Sequence, residues 1–357
     1  MSHVNAPAKA LIHLRRAQSW ETGGKPFPVS LEIDLSNRCS HGCEWCHFAH
    51  THTRGPWASR SRDVPVGQEK GGDIADIDMI CRLLTEVADN GTLSVIWSGG
   101  GEPTTHPLWP AAVEQAARVG LKQGMYTAGS LLSDVQAGVL ACYADWVVVS
   151  IDEVHADAYA ARKGVSADFF DRACRSVRAM SESWTECAVG CSFMLHEGNW
   201  QAAEGMLDLS RSLGATYAIF RPTVLTSPAN PGVKTSGTGW IEEAHPLLQA
   251  LATEPDVELD PSRFLAYRNW RGRSYRACYG IRLNATVTPD GRVWVCPNRR
   301  EMPDSSIGDL TRETFREIWD RHPGQWTDFQ QCRVMCRLHQ VNEQMDAFMD
   351  MKHAEFV

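Results

Sequence analysis

The chain has 357 residues, 43% hydrophobic and 22% charged, with a formal net charge of −8. These proportions are ordinary for a globular protein and supply enough apolar surface for a large core, which excludes global disorder and a disulfide-stapled mini-protein. The acidic balance excludes a uniformly basic protein, and the length is enough for about two domains.

Residues 1–28 form an N-terminal extension with no apolar h-region, and no later stretch approaches 18 consecutive apolar residues. A cytoplasmic protein is therefore expected. There the 12 cysteines read as metal ligands or catalytic groups rather than disulfides.

Six strand-like runs follow, at residues 29–35, 92–97, 122–126, 146–151, 186–196 and 215–221. Helical patterns separate them at 77–87, 108–119, 169–180 and 200–213. In the first of these, Ile77, Ile80, Leu83, Leu84 and Val87 share one face, and Asn90-Gly91 ends it. Strands alternating with helices predict parallel β-α units with right-handed crossovers. About six units over 29–221 point to an α/β fold, a partial (β/α)6 barrel, with its site at the C-terminal ends of the strands. Residues 222–260 read as a linker or lid followed by a helix. Residues 261–357 read as a small α+β domain, with short strands at 284–287 and 293–296 around Pro289-Asp290-Gly291 and helices at 311–320 and 337–352.

Cys39, Cys43 and Cys46 stand at C-x3-C-x2-C spacing directly after the first strand. Three thiolates can hold three irons of a cubane cluster and leave the fourth iron open. A structural zinc is the alternative, with His41, His47, His50 or His52 as fourth ligand. After the second strand comes Ser98-Gly99-Gly100-Gly101-Glu102-Pro103, where glycine permits close backbone approach. Trp45 precedes the third cysteine, Tyr126-Thr127 ends the third strand and Ser150-Ile151-Asp152 ends the fourth.

Together these residues resemble the radical SAM superfamily over 29–221. The resemblance implies a [4Fe-4S] cluster on Cys39, Cys43 and Cys46 that binds S-adenosyl-L-methionine and cleaves it reductively to a 5′-deoxyadenosyl radical, which abstracts hydrogen from substrate. It implies cofactor contacts from Trp45, Gly99, Gly100, Gly101, Glu102, Thr127, Ser150 and Asp152, and an electron donor such as flavodoxin or ferredoxin. The C-x12-G-x4-C run from Cys278 through Gly291 to Cys296 resembles a SPASM or twitch auxiliary domain. With Cys332 and Cys336 it would complete a second [4Fe-4S] cluster, or a four-cysteine zinc site.

Cys187 and Cys191 fall on one face of the fifth strand, as buried small hydrophobes or, for Cys191, as a catalytic hydrogen donor. Arg221 would point into the barrel mouth as a second catalytic candidate. Residues 261–300 carry nine arginines, one acid and interleaved aromatics, a local +8 that leaves −16 elsewhere. That window suits a phosphate or nucleic-acid contact, and equally an anionic cluster that arginines would stabilise. The resulting expectation is a radical enzyme that oxidises, epimerises or isomerises a nucleoside, nucleotide, modified nucleobase, sugar or aminocyclitol. A peptide-modifying radical SAM/SPASM maturase is the alternative. From other classes, a zinc-binding nucleic-acid module or a two-cluster electron carrier would account for the cysteines but not for the barrel.

Overall fold

The computed structural model describes residues 12–46, 48–52, 73–223, 237–269, 272–300, 305–327, 332, 336 and 338–349. Seven strands follow one another: β1 (Ser30–Asp34), β2 (Ser94–Ser98), β3 (Lys122–Thr127), β4 (Trp146–Ser150), β5 (Ala188–Leu195), β6 (Tyr217–Pro222) and β7 (Val257–Glu258). All pair in parallel, in sequence order. The helices that cross between them are α2 (Ile77–Asp89), α3 (Trp109–Arg118), α4 (Asp134–Tyr143), α5 (Ala156–Lys163) with α6 (Asp168–Ser181), α7 (Ala203–Ser212) and α8 (Trp240–Leu251). Ahead of β1 lies α1 (Leu14–Ser19). The α/β partial barrel expected from the sequence is therefore present.

Alternation along each strand divides two environments. Leu31 and Ile33 of β1 join Ile80 and Leu84 of α2 in the main core between sheet and helices. On the other face, Val148, Tyr217 and Ile219 pack with Tyr126, Trp146 and Ala188 in a smaller cluster inside the barrel. β1 shows the division best: Ser30, Glu32 and Asp34 alternate with the helix-facing residues, yet Glu32 and Asp34 are buried too. Two carboxylates on the inner face of a buried strand require partners.

The C-terminal region continues the same sheet. β8 (Asn284–Val287) pairs in parallel with β1, and β9 (Arg292–Trp294) and β10 (Ser306–Asp309) add antiparallel. Helices α9 (Pro261–Arg268), α10 (Phe315–Asp320) and α11 (His339–Met349) flank them. Trp294 and Val293 follow the turn at Gly291, whose φ of 84° is why glycine stands there. The sheet thus runs through the boundary expected at residue 261. Neither α4 nor α5 stood among the expected helices; in α5, Ala156–Lys163 carries Arg162, Lys163 and small alanines rather than an apolar stripe. The expected lid lies largely at 224–236, outside the described residues.

Candidate functional site

The three N-terminal cysteines sit on the loop between β1 and α2, and protein contacts fix that loop from two sides. The amides of Gly42 and Glu44 donate to the carbonyls of Lys163 (2.7 Å) and Arg162 (3.1 Å) at the end of α5. Cys46 N–H donates to Cys43 O (3.2 Å), closing a turn that keeps these two cysteines close. Burial pushes the Cys39 thiol well up, and Cys43 and Cys46 nearby push it further. Burial likewise takes Cys43 up to about 11, opposed by the Lys163 ammonium. Three thiols gathered on one loop form a donor set suited to a cation.

His41 is not available as a zinc ligand. Its Nδ1 meets Ser40 Oγ at 3.0 Å and its Nε2 meets Tyr159 Oη at 3.2 Å. His52 Nε2 lies 3.8 Å from Cys46 Sγ, and His47 is outside the described residues. Among the described residues no three His, Cys, Asp or Glu side chains already stand in metal-ligating array. Three sulfurs on one loop fit three irons of a cubane with the fourth left open, the donor set implied for the first cluster.

The glycine loop packs against the cysteine loop. Gly101 N–H donates to Ser36 O (3.0 Å) and Glu102 N–H to Arg38 O (2.8 Å). A Cβ on Gly101 would stand 2.2 Å from Arg38 O, and one on Gly100 would stand 2.3 Å from Asn37 Oδ1. So two of these glycines are required by packing within the chain. Glu102 ties the loop to the end of β3: Oε1 accepts from Thr127 Oγ1 (2.5 Å) and Oε2 from Ala128 N–H (2.7 Å). Thr127 in turn accepts from Gly129 N–H at 3.0 Å. Trp45 is buried, with its ring 5.9 Å from that of His196.

Asp152 is the one residue other than glycine, among those described, with a left-handed backbone (φ 67°). Its Oδ1 accepts from Met194 N–H (2.8 Å) and its Oδ2 pairs with Lys163 Nζ at 2.8 Å. Lys163 also donates to Ser150 O (2.6 Å) and lies 4.7 Å over the Tyr159 ring. Burial would lower this ammonium, but the Asp152 carboxylate above all carries its pKa above that of an ordinary lysine. Asp152, expected at the cofactor, is thus also a structural support at the end of β4. Its two oxygens tie β4, β5 and α5 together. Ser150 Oγ stands 3.5 Å from Ser192 Oγ.

Cys278, Cys296, Cys332 and Cys336 line one small cavity with Arg273, Tyr275, Trp326 and Leu338. The β8–β9 hairpin and the bridge between Cys278 and Trp326 draw the first two together. Burial raises the Cys278 thiol strongly, with Cys336, Cys296 and Cys332 adding to it. Four sulfurs around one space fit the auxiliary metal centre. Asn298 Nδ2 reaches Cys336 Sγ (3.5 Å), Asn342 Nδ2 reaches Cys278 Sγ (3.1 Å) and Arg299 Nη1 reaches Cys332 Sγ (3.8 Å).

Inside the barrel lies a cavity of about 720 Å³ lined by Tyr126, Trp146, Val148, Tyr217, Arg221 and Glu258, among others. It extends toward the N-terminal ends of the strands, where Ile12 and His13 line one side and Leu338 and Val341 another. Gly124 keeps it open beside Trp146, whose ring a Cβ there would strike at 1.9 Å. Arg221 Nη2 donates to Tyr126 Oη (3.1 Å). Cys191 does not reach this space: it is fully buried in the main core, with Ser210 as hydrogen-bond partner. It pairs in register with Val149 and Ala218, the helix-facing set, so a hydrogen-donor role for it is corrected.

Six of the nine arginines in the 261–300 window are paired within the protein. Arg268 pairs with Glu242, Arg276 with Asp346, Arg282 with Glu21 and Arg292 with Asp290. Arg299 bonds Ser305 Oγ (2.7 Å), and Arg300 is buried against Glu32 and Asp34. Arg271 is outside the described residues. Local charge in the sequence did not show where the acids that neutralise it would lie.

Residues 33–209 match the model of the radical SAM superfamily, and residues 278–343 match that of the SPASM iron–sulfur cluster-binding domain. Among curated proteins, the chain is 25% identical to the PqqA peptide cyclase of Gluconobacter oxydans, across 83% of this chain and 77% of that one. It is 24% identical to the PqqA peptide cyclase of Methylorubrum extorquens, across 84% and 73%. In fold it resembles SuiB of Streptococcus suis bound to S-adenosylmethionine, with a TM-score of 0.64 at 16% identity, covering 89% of this chain and 72% of that one. These peptide-cyclase relatives overturn the expected nucleotide, nucleobase, sugar or aminocyclitol substrate. Six of the nine arginines in the 261–300 window are those paired within the protein. Among the described residues, no helix is long and apolar enough to cross a membrane.

Proposed function

Because the chain belongs to the radical SAM superfamily and carries a C-terminal SPASM iron–sulfur domain, we propose that it is a peptide-modifying radical enzyme that forms an intramolecular bond in its substrate. The observation that carries this reading is the similarity to PqqA peptide cyclases, which runs through both domains in one alignment. Cys39, Cys43 and Cys46 would hold the first cluster, and Cys278, Cys296, Cys332 and Cys336 the auxiliary one. When bound, the first cluster and S-adenosylmethionine supply one-electron hydrogen abstraction. The chain's own residues bind, orient and exclude water.

In this reading the interior cavity takes the peptide. Tyr126, Trp146 and Tyr217 line it with aromatic surface for a peptide side chain, and Arg221 and Glu258 add polar groups to the lining. Ile12, His13, Leu338 and Val341 line the same cavity, on the side where an extended chain would enter. A small flavodoxin- or ferredoxin-type protein would deliver the electron.

The test uses anaerobically reconstituted enzyme, S-adenosylmethionine, a reductant and synthetic peptides encoded by short reading frames beside the gene. Joining two positions that each carry hydrogen removes two hydrogens, so mass spectrometry should show that loss in one peptide, matched by 5′-deoxyadenosine. Formation of 5′-deoxyadenosine with no change in any peptide would refute the proposal. A Gly124→Val variant, whose side chain displaces Trp146 into the cavity, should abolish peptide modification while retaining the iron content of the wild type.

A further inference from the structure

One buried arginine belongs to neither cluster loop and touches the surroundings of both. Arg300 ends the turn Pro297–Arg299 that follows Cys296, and its side chain is 1% exposed. The turn distributes three successive side chains. Asn298 goes to Cys336 Sγ and Arg299 to Cys332 Sγ, both in the auxiliary site. Arg300 instead leaves that site and enters the barrel.

There its guanidinium pairs with Glu32 and lies 2.6 Å, through Nη1, from Asp34 Oδ2. The same Asp34 oxygen accepts the Gly100 amide at 3.1 Å. The guanidinium also sits 4.2 Å over the ring of Phe48, two residues beyond Cys46. A continuous line of contacts therefore runs from the auxiliary cysteines through the 297–300 turn to Asp34 and the glycine loop. A buried arginine between two carboxylates is costly unless its geometry is kept. Any shift of the turn must be answered at Asp34 and so at Gly100.

We propose that Arg300 is a positioning residue that couples the auxiliary metal site to the S-adenosylmethionine loop. With the auxiliary site filled, Asn298 and Arg299 are fixed against its ligands and Arg300 is held under Asp34, which sets the Gly100 amide. With it empty, the sulfurs that Asn298 and Arg299 contact are no longer clamped by a metal, and the support of the glycine loop loosens with them. Coupling is reciprocal, so filling either site favours the other. This inference rests on the two metal sites and not on the peptide reading, which can fail without it.

The experiment measures equilibrium binding of S-adenosylmethionine to anaerobically reconstituted enzyme by dialysis, and the change in the first cluster's electron paramagnetic resonance spectrum on binding. Loss of Arg300 alone would remove the buried cation beside the Glu32 carboxylate, so the variant is Arg300→Met/Glu32→Gln, with Glu32→Gln as its reference. The double variant should bind S-adenosylmethionine about tenfold more weakly than its reference, within the usual span of allosteric coupling, with iron content unchanged. Arg300→Lys, which keeps the charge, should restore part of the affinity. Cys278→Ala, at the auxiliary site, should weaken binding to a similar degree in the wild-type background. It should add nothing further in the Arg300→Met/Glu32→Gln background. Binding within twofold of the reference, unchanged binding in Cys278→Ala, or simple additivity of the two would each overturn the proposal.

Discussion

Replacing Lys163 by Met tests whether the cluster loop rests on a buried ion pair. The ammonium is 2.8 Å from Asp152 Oδ2, and the two side chains are 1% and 2% exposed. Methionine keeps most of the length and the apolar stem but removes the charge and the 2.6 Å bond to Ser150 O. Asp152 would keep one donor, Met194 N–H. Removing one partner of a buried pair costs about 3–5 kcal/mol. The left-handed backbone of Asp152 adds to the demand, since such a residue persists only while its surroundings hold it there. Urea denaturation of apo and reconstituted protein should show a loss of that size for Lys163→Met. Asp152→Asn in the same chain should recover a large part of it, because no unpaired charge then remains. Because the Lys163 and Arg162 carbonyls hold Gly42 and Glu44, Lys163→Met should also retain less iron on the first site. A loss within about 0.5 kcal/mol of wild type, the range of an ordinary surface change, would refute the reasoning. So would a double variant no more stable than the single one.

Gly101→Ala should destabilise the protein by about 1–3 kcal/mol, the usual cost of overpacking, and weaken S-adenosylmethionine binding, because the new Cβ meets the Arg38 carbonyl; thermal melting and equilibrium binding read the two effects. Burial pushes the Asp34 carboxyl up to about 7 against the opposing pull of Arg300. The folded protein therefore holds this proton more tightly than the unfolded chain, whose aspartates titrate near 4, and Asp34's contribution to stability falls as pH rises from about 4 to about 7. Urea midpoints across that window should decline in wild type and flatten in Asp34→Asn; parallel profiles would show that Asp34 titrates normally. Cys278→Ala should lower total iron from about eight atoms per chain to about four, with the first cluster intact; one zinc and four irons in the wild type would instead make the C-terminal site structural.

The strand-helix alternation and the cysteine loop were legible because each depends on local chemistry. Apolar spacing at 77–87 can bury only one face of a helix, and C-x3-C-x2-C places three sulfurs on one loop whatever surrounds it. The auxiliary cysteines were legible for a related reason, since the turn at Gly291 folds two short strands back on each other. Partnerships between residues distant in sequence were not legible. Arg300 meets Glu32 and Asp34 because β8 adds to the edge of β1, and no feature near position 300 specifies that pairing. The same holds for Lys163, which lies on a helix without a clear apolar stripe and becomes a buried support only once α5 closes over the cluster loop. A hint was present in β1, where Glu32 and Asp34 two residues apart in a buried strand demand a buried cation, though not which one. Strand parity placed Cys191 on a face, but only the sheet's curvature decided that this face meets helices and the opposite one encloses a cavity. Sequence by itself thus determined the chemistry the chain can host, because ligand spacing is local. Tertiary structure decided which charges are spent holding the site and which surfaces remain for a substrate, because burial and neutralisation depend on contacts across the whole chain.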